Sequence, residues 1–191
     1  MSNQKQEPWE AMPHKWPSKS SYFSYLRGIL RRGWNRHPVK TELMNEKRYK
    51  IPNPNPTGKR KEVWGHSCEI CDYVGPVKEF QVDHIIGAGS LKDWSDVEGF
   101  TQRLLGCTKE DLRIVCIDCH SILTYQERYN LTFEEAKVEK QLIALRKLTI
   151  DELRSTLTNE GIEWDTKDKK KDLLHRYRQH LMETTNANGT V

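Results

Sequence analysis

The apolar positions divide the chain into helical stretches around a short alternating middle. Tyr22, Tyr25, Leu26, Ile29 and Leu30 recur at the spacing of one helical stripe. Ser20 or Ser21 is placed to cap that helix, and Gly33 to end it. A second short helix fits residues 39–49. The run Ile51-Pro52-Asn53-Pro54-Asn55-Pro56-Thr57-Gly58 excludes helix and reads as a stiff linker. Residues 80–85 alternate as a strand does, and Leu112-Arg113-Ile114-Val115 is a short apolar stretch. Between them, Ser95 and Glu98 have capping-box spacing ahead of Val97, Phe100, Leu104 and Leu105. The pairs Thr132/Glu135 and Thr149/Glu152 repeat that signal. The first opens a helix to about Arg146. The second opens one with Ile150, Leu153 and Leu157 on one side, ended by Gly161. A basic helix over residues 169–181 turns Leu173, Leu174 and Tyr177 inward.

These elements predict a small α+β protein in five parts. Residues 1–60 form a basic arm, polar, mobile and Pro-rich at its start. Residues 61–130 form a compact core, 131–147 a connector helix, 148–182 a helical module and 183–191 a flexible tail. With 36% hydrophobic residues and a mean hydropathy of -0.83, a large apolar core is excluded, and a domain of this kind needs a staple. The cysteines supply one. Of the five, Cys68 and Cys71 form one C-x-x-C pair and Cys116 and Cys119 another. Two such turns present four thiolates to a tetrahedral Zn²⁺, a closed structural site with no position left for substrate. Cys107 is left over and reads as a small buried hydrophobe. No apolar run approaches the ~20 residues a bilayer span needs, and the start is polar. The expectation is a cytoplasmic protein, not secreted and without a membrane partner.

Charge changes the picture further. Between Ala11 and Glu62 lie 13 Lys and Arg against three Glu, a balance of +10, so the remainder carries −6 within the total of +4. A basic arm beside an acidic module suits a polyanion partner, although a solvated basic face accounts for the run equally well.

Asp83 and His84 lie between the two cysteine pairs, and His120 directly follows the last cysteine. Adjacent strand residues point to opposite sides, so one of Asp83 and His84 can bind metal while the other acts on water. Here the chain resembles the HNH endonuclease family, most closely its bacteriophage-encoded, zinc-stapled members. The resemblance is carried by residues 26–32, Cys68-Glu69-Ile70-Cys71, Val82-Asp83-His84-Ile85-Ile86, Gly99-Phe100 and residues 111–120. It implies a ββα-metal core that hydrolyses DNA phosphodiester bonds to a 5′ phosphate and a 3′ hydroxyl. It implies Asp83 and His120 as ligands of one catalytic Mg²⁺ or Mn²⁺, and His84 as general base. The residue that orients the base, Asn in the family, falls at Asp111. Gly87 and Leu123 depart from the family's usual Pro and Lys. In the arm, Arg27, Arg31, Arg32 and Arg36 are the candidate phosphate contacts.

The tail is similar to a SAP, or helix-extended-helix, motif through residues 148–153, Gly161-Ile162-Glu163-Trp164-Asp165-Thr166-Lys167, Lys170, Leu173, Leu174 and Arg176. That resemblance implies DNA contact by Lys167, Lys169, Lys170, Lys171 and Arg176. From Leu148 onward, however, seven Lys and Arg face eight Asp and Glu, so a helical pair docking protein remains the alternative. Trp64, Trp94 and Trp164 read as packing residues, and Trp34 as a core anchor or a nucleic-acid contact. His14, His37, His66, His175 and His180 lack ligand context. The rival to an enzyme is a non-catalytic zinc DNA-binding protein, such as a phage packaging or regulatory factor. A third reading is catalysis only inside a complex with packaging or replication proteins.

Overall fold

The computed structural model describes residues 6–56 and 59–188. The first five residues, Thr57, Gly58 and residues 189–191, assigned from sequence to the arm, the linker and the tail, lie outside them. By contacts the chain divides into two compact units, residues 1–117 and 118–191. The elements are α+β throughout, with two small antiparallel sheets.

The first unit begins with the short helix α1 (Pro8–Ala11) and the long helix α2 (Lys19–Asn35). The cap of α2 is Ser18, not Ser20 or Ser21: its Oγ accepts from the Ser21 amide at 3.2 Å while the Ser21 hydroxyl accepts from the Ser18 amide. Helix α2 runs through Gly33, and Pro38 decides where it stops. Proline drives the residue before it out of helical geometry, so His37 is extended and α3 (Pro38–Glu46) starts afresh.

The buried stripe of α2 is rotated from the expected one. Phe23 is 1% exposed, whereas Tyr25 and Ile29 face solvent. Phe23 joins Ala88, Leu91, Phe100 and Leu104 in a core against which Tyr22, Leu26, Leu30 and Trp34 pack. The arm therefore belongs to the first unit instead of preceding it. Phe100 and Leu104 come from α4 (Val97–Leu105), which starts at Asp96. The Ser95/Glu98 capping box does not form. Asp93 and Asp96 make one instead, two residues earlier, on the 3-10 turn Trp94–Asp96 that leads into α4.

The Pro-rich segment also departs from the linker expected of it. Strand β1 (Tyr49–Pro52) pairs antiparallel with β2 (Glu62–Ser67), from Tyr49 opposite Gly65 to Pro52 opposite Glu62. Asn53 closes the connection, donating its amide to Lys61 O at 2.8 Å and its Nδ2 to Arg60 O at 2.9 Å. Prolines are tolerated because they lie at a strand end and in the turn, where no ladder donor is lost. Strand β3 (Val74–Pro76) pairs on the other side of β2. A side chain at Gly65 would come within 2.5 Å of Gly75 O, so this sheet needs glycine there.

The second sheet positions the candidate chemistry. Strand β4 (Phe80–His84) pairs antiparallel with β5 (Leu112–Cys116), from Phe80 opposite Cys116 to His84 opposite Leu112. Phe80, Val82, Leu112 and Ile114 are buried, which locks that register, because a one-residue slip would expose them all.

The second unit holds α5 (Ile117–Tyr129), α6 (Phe133–Leu145), α7 (Ile150–Asn159) and α8 (Lys170–Asn188). Both threonine capping boxes form, Thr132 with Glu135 and Thr149 with Glu152. Gly161 turns the chain at φ +69. Leu153, Leu157 and Leu173 are fully buried, with Leu145, Leu148 and Ile162 packed around them. Helix α6 packs on α8, where Arg178 donates to Glu139 at 3.0 Å, so α6 is a working part of this unit more than a connector. Helix α8 continues past residue 182 to Asn188, into the stretch read as a flexible tail. Among the described residues no helix is long and apolar enough to cross a membrane.

Candidate metal centre and histidine site

Four cysteines converge. The Sγ atoms of Cys68, Cys71, Cys116 and Cys119 all lie within 4.8 Å of one another. The sequence builds this locally. Cys68 follows the end of β2, and a tight turn returns through Asp72, whose φ of 55 is a left-handed conformation that Asp tolerates. The Cys68 amide donates to Tyr73 O at 2.8 Å and the Asp72 amide to Cys68 O at 3.0 Å. The turn is tied to β5 twice: the Glu69 amide donates to Ile114 O at 2.9 Å, and the Ile114 amide to Glu69 Oε1 at 2.8 Å. Cys116 ends β5, and Cys119 sits in the first turn of α5.

The donor set fits a zinc-like ion. Cys71 and Cys116 Sγ are 3.8 Å apart. A tetrahedron with metal–sulfur bonds of about 2.3 Å has an edge of about 3.8 Å. Burial alone would raise the Cys68 thiol, but backbone amides of Cys116, Cys71 and Ile70 lower it to about 7. The Cys116 amide donates to its sulfur at 3.3 Å. These are donors that favour a thiolate, the form a metal binds. The cluster could therefore hold a metal ion such as zinc. Cys107 stands apart, buried, its thiol pushed up by burial.

At the other end of the β4–β5 ladder are Asp83 and His84. Asp83 faces Arg113 across the strands. Arg113 donates Nε at 3.0 Å and Nη2 at 2.9 Å to the same carboxylate oxygen, Oδ2, in a mostly buried pair. His84 is half-buried, with Nε2 3.2 Å from Leu104 O. A carbonyl oxygen only accepts, so Nε2 carries the proton and Nδ1 of the neutral ring holds the lone pair. The indole of Trp34 lies on this imidazole, with ring centroids 4.2 Å apart and planes at 44°. Burial lowers the pKa of His84. The Leu104 carbonyl and Asp83 oppose that shift, and His37 and Arg31 add to it. The ring is thus biased towards its neutral form.

Asp111, expected to orient this ring, lines the same cavity as His84, and its carboxylate is engaged locally. It ends a single 3-10 turn (Lys109–Asp111) and uses its carboxylate as that turn's own cap. Its Oδ2 accepts from Thr108 N at 2.8 Å and Thr108 Oγ1 at 3.0 Å. Those backbone and hydroxyl donors hold its pKa below the usual carboxylate range. Its backbone carbonyl accepts from the Ile85 amide at 2.9 Å, which keeps it beside the histidine strand. The hydrogen bond that His84 makes is to the Leu104 carbonyl, which has no side-chain signature in a sequence. Arg113 and Trp34 are the two other site residues that sequence reasoning did not assign. Cross-strand register is the signal for the first. For the second, only the packing of α2 against α4 reveals it.

His120 follows Cys119 in α5 and is half-buried. In the arm, Arg31, Arg32 and Arg36 are exposed, while Arg27 is half-buried and donates to Ser24 Oγ at 3.3 Å. In the tail, Lys167, Lys169 and Lys171 are exposed and Lys170 is half-buried. Arg176 is paired with Asp168 at 2.8 Å. Trp64 is solvent-facing, flanked by Lys50 at 4.3 Å and Arg48 at 4.6 Å from its ring centre. Trp94 packs on Tyr22 and Phe23.

Comparison with known proteins finds no match among family models, curated proteins or solved structures.

Proposed function

We propose that this protein is a metal-dependent endonuclease of the HNH kind that hydrolyses DNA phosphodiester bonds. The observation that carries this reading is the state of His84: Nε2 is committed to the Leu104 carbonyl, Nδ1 is left as the basic atom, and burial favours the neutral ring. That is what a general base at neutral pH requires. The chain order also supports it, with strand β4 carrying Asp83 and His84, strand β5 paired to it, and α5 following with His120.

In this mechanism His84 Nδ1 removes a proton from a water molecule as its oxygen bonds to phosphorus in line with the leaving group. The bond from phosphorus to the 3′ oxygen breaks, and that oxygen takes a proton from solvent. Asp83 offers a hard oxygen and His120 an imidazole nitrogen, the ligand types that the resemblance implies for Mg²⁺ or Mn²⁺, ions content with few protein ligands. When bound, the ion supplies positive charge against the charge developing on phosphate and leaving oxygen. Arg113 fixes the Asp83 carboxylate, and Trp34 and Leu104 fix the imidazole. Arg31, Arg32 and Arg36, with Lys167, Lys169, Lys170, Lys171 and Arg176 of a SAP-like tail, hold the DNA backbone.

One observation favours a second reading, a non-catalytic zinc DNA-binding protein serving phage packaging. Asp83 is already engaged by Arg113, as a purely structural carboxylate would be. Supercoiled plasmid incubated with Mg²⁺ or Mn²⁺ separates the two. The nuclease reading expects nicked or linear product, lost by about 10²–10⁴-fold in His84→Ala. Plasmid left supercoiled by the zinc-loaded wild type with either ion, yet retarded by it in a gel shift, overturns the isolated nuclease and favours the binder.

A further inference from the structure

The cavity next to His84 has a chemistry of its own. It encloses about 500 Å³, within the ~300–1,000 Å³ usual for small-molecule pockets. His84 lines it together with Ile85 and Ile86. Those two isoleucines are 51% and 75% exposed, an apolar wall left open to solvent directly after the candidate base. Gly106 and Cys107 add to the apolar lining, and the polar part is acceptor-rich, from Gln102, Glu110 and Asp111. One guanidinium, Arg103, is also present, but its Nε is committed to Ala88 O at 3.1 Å.

This combination argues against phosphate as the occupant. Two carboxylates against one guanidinium leave the lining net negative, so the phosphate that the nuclease reading brings to His84 stays outside the cavity. A flat uncharged ring whose edge donates hydrogen bonds suits it better. Apolar side chains take the ring face, and carboxylates accept from an exocyclic amino group, as acidic side chains do from cytosine N4. Gln102 donates Nε2 to Glu98 Oε1 at 3.3 Å, and its carbonyl oxygen is left to accept from the edge of the base.

We propose that this cavity binds a nucleobase carrying an exocyclic amino group, the base flanking the phosphate presented to His84, and that Glu110 and Gln102 set a preference against thymine. The proposal rests on the nuclease reading for which phosphate is cut, but the cavity's affinity for a base can be measured without cleavage. The Thr108 hydroxyl draws on Glu110 as well as on Asp111, and each carboxylate keeps an oxygen with which to accept from the base. Ile85 and Ile86 form the face on which the ring lies.

The test is NMR titration of the full-length, zinc-loaded protein, following the methyl signals of Ile85 and Ile86. The probes are deoxycytidine, deoxyadenosine, thymidine and inorganic phosphate. Deoxycytidine and deoxyadenosine are expected to shift these methyls saturably, with thymidine at least fivefold weaker and phosphate without effect. Glu110→Gln should bring deoxycytidine and thymidine within about twofold of each other, since a neutral amide answers either edge. Gln102→Ala provides an independent variant, expected to weaken all nucleosides together. Glu110 and Gln102 are both exposed, so neither change is expected to disturb the fold. The proposal is overturned if no nucleoside moves Ile85 or Ile86, if thymidine binds as well as deoxycytidine, or if phosphate moves the same methyls. A protein that binds amino-bearing nucleosides here but never cuts plasmid would retain this site and refute the nuclease.

Discussion

The indole of Trp34 rests on the imidazole of His84, 4.2 Å between ring centres. The two residues come from the arm helix and from β4, and nothing in their sequence positions links them. If His84 is the base, Trp34 acts as a positioning residue. An aromatic contact of this kind contributes ~1 kcal/mol. Trp34→Ala is therefore expected to slow plasmid cleavage about fivefold, with DNA retention in gel shifts unchanged and Trp34→Phe recovering most of the rate. A Phe variant as slow as Ala would show that Trp34 serves only the fold.

The Asp83–Arg113 pair gives a separate handle. Its side chains are 18% and 24% exposed, so the two charge-assisted bonds work in a mostly dry setting. Arg113→Ala should lower unfolding free energy by about 2 kcal/mol in denaturant titration. It should also change Mn²⁺ affinity if Asp83 is a ligand, because the carboxylate loses its fixed orientation. Calorimetric Mn²⁺ titration of the variant beside wild type reads that directly. Identical isotherms would remove Asp83 from the metal site.

Metal analysis should find one zinc per chain in reduced protein. Structural zinc contributes on the order of 10 kcal/mol in small peptides. Cys68→Ser and Cys119→Ser are thus expected to lower the melting temperature sharply and to lose the metal on dialysis against a chelator. A folded, zinc-free wild type would mean that the thiols converge for packing alone.

Of the four arm arginines, Arg27 is half-buried and turned to Ser24, while Arg31, Arg32 and Arg36 are exposed. Removing one cation that neutralises a phosphate should reduce the salt slope of duplex binding by about 0.9. Replacing Arg31, Arg32 and Arg36 with Ala should flatten that slope, while Arg27→Ala should barely move it. Equal slopes in all variants would make the arm a packing element.

The caps make the helices of the second unit sensitive to acid. The backbone amides and hydroxyls of Thr132 and Thr149 hold Glu135 and Glu152 below the ordinary value of 4.5. A carboxylate depressed in the fold stabilises it fully above its unfolded pKa. That stabilisation disappears as pH falls through the lowered value. Ellipticity at the helical band should stay flat above about pH 5 and decline below 4. Thr149→Ala should shift the decline towards higher pH. No change in that variant would mean the box contributes nothing measurable.

The parts legible in sequence were those written in side-chain chemistry at fixed spacing. Thr132/Glu135, Thr149/Glu152 and the four cysteines are of this kind, and all form as their spacing implies. Contacts made through backbone or over long range were not legible. Leu104 reaches His84 with a carbonyl that any residue would possess. Phe23, not Tyr25, turns inward because α4 approaches from that side, and helical periodicity allows either face. Asp111 stands at the position of the expected orienting residue, yet its carboxylate is taken by Thr108 three residues away. A short polar side chain prefers its nearest amide, and spacing to a distant histidine does not reveal that competition.

The β4–β5 ladder runs from Phe80 opposite Cys116 at the thiol end to His84 opposite Leu112 at the other. Four residue steps of about 3.3 Å separate the two ends. The thiol cluster therefore works as the zero mark of a ruler on which His84 is a fixed graduation. Inserting one residue within 80–84 or 112–116 would shift every later position to the opposite face. The stretch between the strands, residues 85–111, lies off the ruler, so its loops can lengthen without changing the reading. Chain-length tolerance should follow that division, and breaking the thiol cluster should cost the histidine its address although no thiol touches it.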